Sequence, residues 1–152
     1  MSRVLVLNGP NLGQLGRREP LVYGRATYAD LCDLVVREGK DLGLDVEVRQ
    51  TDSEAELVGW LHAAGETAAA VVLNPAALSH YSIAVHDAVA MTTVPVVEVH
   101  ITNIAAREEF RHHSVVSAVA SGTITGFGLD SYRLGLSAVA RLLAEPVGDA
   151  DA

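Results

Sequence analysis

Two groupings of side chains in this sequence are suited to chemistry. One is Tyr23 downstream of Arg17 and Arg18; the other is Glu98 two residues before His100 at the end of an apolar run. A phenol ionises near pH ~10, so it serves as a base at neutral pH only where a nearby cation favours the phenolate. Arg18 is such a cation. The bland alternative makes Arg17 and Arg18 solvated loop charges and Tyr23 an amphipathic plug. Glu98 and His100, two apart on an extended chain, share a face, so the carboxylate can accept from one imidazole nitrogen and fix the tautomer of the other. A histidine buttressed in this way is a good general acid or base, whereas a lone histidine is more often structural.

Other candidates cluster with these two. Asn74-Pro-Ala-Ala-Leu-Ser-His-Tyr closes a third apolar run. Its Asn74 amide can both donate and accept, and the small Ala76 and Ala77 let a ligand approach the backbone. His80 stands near a helix start, where free N–H groups favour an anion; the competing readings are a strand-ending Asn74 and a locally capping His80. Arg107 and Arg111 are i and i+4, so a helical turn there would give both one face, unless the turn is merely a solvated charged one. Metal-ligand spacings are absent, as are G-x-G-x-x-G, a G-K-[ST] ending and G-x-S-x-G, so metal, nucleotide-phosphate and serine-hydrolase chemistry are poorly supported.

The elements that must position these residues alternate. Strands are expected at Arg3–Leu7, Leu44–Gln50, Ala69–Leu73, Pro95–Val99 and Gly122–Gly126. Helices are expected from Thr27 to Gly43, from Asp52 or Ser53 to Gly65, over Ser79–Met91 and over Leu129–Ala144. Such alternation implies right-handed βαβ units and a parallel sheet covered on both faces, here an α/β flavodoxin-like sandwich with five strands in the order 2-1-3-4-5. Ligands bind beyond the carboxyl ends of such strands, so Asn8–Gly24, Asn74–Tyr81 and His100–Arg111 should meet. The first of these far exceeds the ~2 to 6 residues usual for such loops. Its glycines and prolines argue against regular structure and for an active-site loop whose outer half is mobile.

A chain of 152 residues, 49% hydrophobic and 20% charged, suits one globular domain over 1–146, with 147–152 as a frayed tail. The formal net charge of −8 argues against nucleic acid or anionic membrane as partner and requires local arginines to hold an anionic substrate. Cys32 has no partner, and no leader or apolar run of membrane-spanning length is present, which points to the cytoplasm.

Taken together, Leu-Asn-Gly-Pro-Asn-Leu at 7–12, Gly-Arg-Arg-Glu-Pro-x-x-Tyr-Gly at 16–24, Leu-Asn-Pro at 73–75 with Ser79-His80, and Glu-Val-His-Ile-Thr-Asn at 98–103 before Arg107-Glu-Glu-Phe-Arg111 resemble type II 3-dehydroquinate dehydratases. The resemblance spans essentially the whole chain and departs mildly at Gly13-Gln14, Tyr81 and His86. It implies a cofactor-free, metal-free, reversible syn elimination through an enolate, converting 3-dehydroquinate to 3-dehydroshikimate in the shikimate pathway or in quinate breakdown. By position it makes Tyr23 the base with Arg18 favouring its anion, Asn11 the holder of a water on the enolate oxygen, and His100, oriented by Glu98, the acid. Asn74 with the N–H groups of Ile101 and Thr102 would grip the carboxylate, His80 and Arg111 would bind ring hydroxyls, and Arg107 would be a second charge on the tyrosine. The resemblance also implies a dodecamer, a tetramer of trimers, in which Asp87 reaches a neighbour's site. The competing class is a non-catalytic flavodoxin-like module binding flavin or nucleotide.

Overall fold

The computed structural model describes residues 1–145; the expected frayed tail, 147–152, lies outside the described residues. Five parallel strands, β1 (Ser2–Asn8), β2 (Leu44–Gln50), β3 (Ala70–Asn74), β4 (Val96–His100) and β5 (Gly122–Thr125), form one sheet in the order β2-β1-β3-β4-β5. Alternation along each strand divides the core. Val4, Val6, Val72, Val97 and Val99 face α2 (Tyr28–Asp41) and α5 (Asp130–Ala144) through Leu31, Val35, Leu136 and Val139. Leu5, Leu7, Val71, Leu73 and Val96 face α3 (Glu54–Thr67) and α4 (Ile83–Met91) through Leu57, Leu61, Val85 and Val89. Each such side chain contributes roughly 1.5–3 kcal/mol on burial, which makes this double-faced packing the main source of order in the sheet.

Local chemistry fixes the helix starts. Thr27 and Asp30 form a reciprocal capping box on α2, Ser53 accepts from the Glu56 N–H at the head of α3, and Ser82 accepts from the Val85 N–H at the head of α4. The Ser82 cap accounts for one departure from the sequence reading. A single helix was expected over Ser79–Met91, but the chain makes a 3₁₀ turn over Ala76–His80, breaks at Tyr81, and restarts at Ile83. Likewise α3 runs past Gly65 to Thr67, since nothing there requires a left-handed residue.

Register brings the carboxyl ends together. Asn8 pairs with Asn74, Leu73 with Glu98, and His100 with Thr125, so the loops leaving β1, β3 and β4 emerge side by side. The β1 loop is more ordered than its glycines and prolines suggested. It holds a 3₁₀ turn at Leu12–Gln14 and a four-residue helix, α1 (Pro20–Tyr23), begun by proline at its first position and ended by Gly24 at φ 82°. Gly9 is required by proximity: its N–H donates to the Asn74 carbonyl at 2.9 Å, and a Cβ there would lie 2.6 Å from the Pro75 carbonyl oxygen.

Candidate active site

The three loops border a cleft of about 420 Å³, a volume that includes its open mouth. Arg18, Tyr23, Asn74, Ala76, Ala77, His80, His100, Ile101, Thr102, Arg107 and Arg111 all border it, as do the apolar Leu12 and Ile104. Backbone strain gathers here as well. Asn11, Glu19 and Ala76 are the only non-glycine residues with positive φ among those described, and all three lie in the β1 and β3 loops.

Glu98 anchors one wall. It is fully buried, and its Oε2 accepts from His100 Nε2 at 2.6 Å. Since a carboxylate only accepts, Nε2 carries the hydrogen and Nδ1 is the nitrogen left for a ligand. Burial alone would push the Glu98 carboxyl up. Hydrogen bonds from His100, from Ser114 at 2.7 Å and from Ser117 at 2.6 Å outweigh it and hold the carboxyl below its ordinary range. The pairing expected from the i, i+2 spacing is therefore present, while the two serines were not foreseen.

His80 stacks beside His100, ring centroids 6.4 Å apart. Its Nδ1 donates to the His113 carbonyl at 2.9 Å, which turns Nε2 outward as an acceptor. Burial lowers its pKa, keeping the ring neutral near pH 7 although the His113 carbonyl acts in the opposite direction. Asn74 is anchored by a buried relay in which its Nδ2 donates to the Tyr132 hydroxyl at 2.8 Å and that hydroxyl donates to Asn8 Oδ1 at 2.6 Å. Its Oδ1 accepts from the Ala76 N–H, which bends the loop into the left-handed step at Ala76. Periodicity had marked Tyr132 only as an inward apolar position. It is fully buried, and desolvation pushes its phenol well up, so it serves as a neutral donor and acceptor.

On the opposite wall, Arg107 Nη1 donates to the Tyr23 hydroxyl at 2.8 Å, and the Arg107 and Arg18 guanidinium carbons lie 5.0 and 4.8 Å from its ring centroid. Arg18 thus stacks on the ring and lies 3.7 Å from Glu19 Oε2; Arg107 is the cation on the oxygen, reversing the emphasis of the sequence reading. His112 Nε2 donates to the Arg107 carbonyl at 2.6 Å and steadies that residue. Arg107 and Arg111 share no α-helical turn, because the chain makes separate 3₁₀ turns at Ile104–Ala106 and Glu109–Arg111, yet both reach the cleft.

Two expected residues stand apart. Asn11 is exposed, its N–H donating to Asp52 Oδ1 at 2.8 Å, and it borders a neighbouring depression with Gln14, Arg17 and Arg18. Asp87 projects outward from α4 and pairs with His86 Nδ1 at 2.9 Å, away from its own chain's cleft. Among the described residues no helix is long and apolar enough to cross a membrane.

Fold and cleft together define an open parallel α/β protein with a cationic site at the strand ends, equipped for acid–base work on a small anion. The chain belongs to the family described as dehydroquinase class II, whose model matches residues 2–140. It is 66% identical over 134 residues to a 3-dehydroquinate dehydratase of Salinispora tropica, covering 88% of this chain and 94% of that one. The crystal structure of a type II dehydroquinase from Propionibacterium acnes matches with a TM-score of 0.90 at 59% identity, covering 93% and 97% of the two chains. One from Butyrivibrio crossotus matches with a TM-score of 0.89 at 37% identity, covering 91% and 97%. This membership does not favour the flavin- or nucleotide-binding alternative.

Proposed function

We propose that this chain is a carbon–oxygen lyase that reversibly dehydrates 3-dehydroquinate to 3-dehydroshikimate by syn elimination through an enolate. The observation that carries the reading is one cleft bordered both by a tyrosine oxygen hydrogen-bonded to a guanidinium and by a histidine buttressed by a buried glutamate. Family membership and the names of the relatives support the substrate.

Each role follows from what the reaction requires. The proton alpha to the ketone passes to the Tyr23 oxygen as phenolate, which accepts the Arg107 hydrogen bond, with Arg18 stacked on the ring. The electron pair moves onto the ketone oxygen as an enolate, then returns to expel the beta hydroxyl, which leaves as water with a proton from His100 Nδ1. Glu98 stabilises the imidazolium before that transfer. Asn74 with the N–H groups of Ile101 and Thr102 grips the carboxylate, and His80 and Arg111 bind ring hydroxyls. Asn11 joins this set, holding a water on the enolate oxygen, when substrate draws its amide from the neighbouring depression. The single catalytic domain is placed at 1–146, acting in the cytoplasm within the shikimate pathway or in quinate breakdown. Assembly is a dodecamer, a tetramer of trimers, in which Asp87 reaches a neighbouring cleft; its support is the exposure of Asp87 on α4 beside exposed Tyr81 and Ile83.

The test is turnover of 3-dehydroquinate followed by enone absorbance. Tyr23→Phe should lower kcat by at least ~10²-fold with unchanged circular dichroism, in line with what a general base contributes. A near-normal rate would remove Tyr23 from the mechanism.

A further inference from the structure

Residues 113–117, His-Ser-Val-Val-Ser, lie outside every motif that marks the family resemblance, yet this short segment contacts His80 directly and reaches His100 through Glu98. The His113 carbonyl accepts from His80 Nδ1, and the Val115 N–H donates to the Ser79 carbonyl at 2.7 Å. The Ser114 hydroxyl donates to Glu98 Oε2 and accepts from the Val116 N–H at 3.2 Å, which aims its proton at the carboxylate. The Ser117 hydroxyl donates to Glu98 Oε1, the oxygen that His100 does not use. Glu98 is thus gripped at both oxygens by a segment that is not part of the cleft lining.

We propose that Ser114 and Ser117 are positioning residues for the elimination, acting through Glu98 to keep its buried charge and fix the direction in which His100 presents Nδ1. This rests on the acid role assigned to His100 above. The imidazolium needs an anionic partner to hold Nε2–H, and a carboxylate fully out of water stays anionic only while donors replace its hydration. The other groups facing this pair are few. His80 stacks on His100 from the Ala76–His80 turn, Arg111 of the Glu109–Arg111 turn bears on His80, and the residues paired with Glu98 across the sheet, Leu73 and Thr123, carry no charge.

The working state therefore pairs ionised Glu98 with protonated His100. Removing a serine hydroxyl takes a donor from the carboxylate, so Glu98 takes up a further proton beside the imidazolium at a higher pH than in the parent. The acid limb of the rate profile should then move to higher pH, with kcat falling and KM little changed. A hydroxyl that only packs the loop would lower the melting temperature and leave the limb in place.

The experiment compares parent, Ser117→Ala, Ser114→Ala and Ser117→Thr across pH 4–9 by 3-dehydroquinate turnover, alongside ¹³C-carboxyl NMR titration of Glu98 in the same unliganded proteins. The expected result is a kcat loss of about tenfold for each alanine variant, as for a lost hydrogen bond to a charged group. The acid limb and the Glu98 carboxyl titration should both rise, and Ser117→Thr should restore them. A folded Ser117→Ala whose limb and carboxyl titration overlay the parent's would overturn the proposal, and so would the same result in Ser114→Ala. If the parent does not turn over 3-dehydroquinate, it is the function reading that fails, and the carboxyl titration still decides whether the serines hold the charge on Glu98.

Discussion

Replacing Arg107 with glutamine tests which cation serves the tyrosine oxygen. Its Nη1 lies 2.8 Å from that oxygen. Two unit charges at this separation interact by about 6 kcal/mol at an effective dielectric constant near 20. Both side chains are only half-buried, so solvent screening reduces this towards the roughly 1.5–3 kcal/mol found for hydrogen bonds to charged groups. Taking about 2–3 kcal/mol, Arg107→Gln should lower kcat by about 30- to 160-fold. Arg18 stacks on the ring, a contact worth ~0.5–2 kcal/mol, so Arg18→Gln should cost less while this arrangement persists. Steady-state rates with 3-dehydroquinate, read by enone absorbance, compare the two. An Arg107→Gln enzyme within twofold of the parent kcat, or one impaired only in KM, would refute the reasoning. A larger loss from Arg18→Gln would mean that residues 16–24 rearrange on the substrate to bring Arg18 onto the oxygen.

Three further outcomes are expected. Gly9→Ala should destabilise the fold by several kcal/mol in urea titration, because the new methyl would sit 2.6 Å from the Pro75 carbonyl oxygen; a midpoint equal to the parent's would show that the β1 and β3 ends part easily. Tyr132→Phe should cost about 1–3 kcal/mol by leaving the Asn74 and Asn8 amides short of a partner, and a neutral result would mean that water replaces the hydroxyl. The pH dependence of stability has a definite sign. The folded Glu98 carboxyl is held below its unfolded value near ~4.3, so its contribution is complete above that value and is lost as pH falls through the lower folded one. Urea midpoints should fall from pH 5 to pH 3, less steeply in Glu98→Gln; a flat profile in the parent would contradict this.

The sheet order and the meeting of three loops were legible because apolar runs and helix caps recur at regular intervals, and right-handed crossovers leave few topologies for them. The Glu98–His100 pair was legible because i, i+2 on a strand fixes a shared face. What escaped was whatever depends on contacts remote in sequence. Ser114 and Ser117 meet Glu98 only after the chain has passed through two 3₁₀ turns, and the hydroxyl of Tyr132 lies 58 residues from the amide it anchors. Hydrophobic periodicity sees a tyrosine as core and does not ask where its oxygen goes. Arg107 was expected only as a second charge on the tyrosine, with Arg18 placed first, whereas the loop geometry lays Arg18 on the ring and aims Arg107 at its oxygen.

The cationic cleft lies in a chain whose formal net charge is −8. A negatively charged metabolite drifting in from bulk solution meets repulsion before it senses the arginines. Electrolyte shortens that outer field, to ~10 Å at 0.1 M, more than it weakens contacts inside the cleft. Capture of the metabolite should thus quicken as ionic strength rises from very low values, opposite to the behaviour of enzymes whose overall field draws their reactants in.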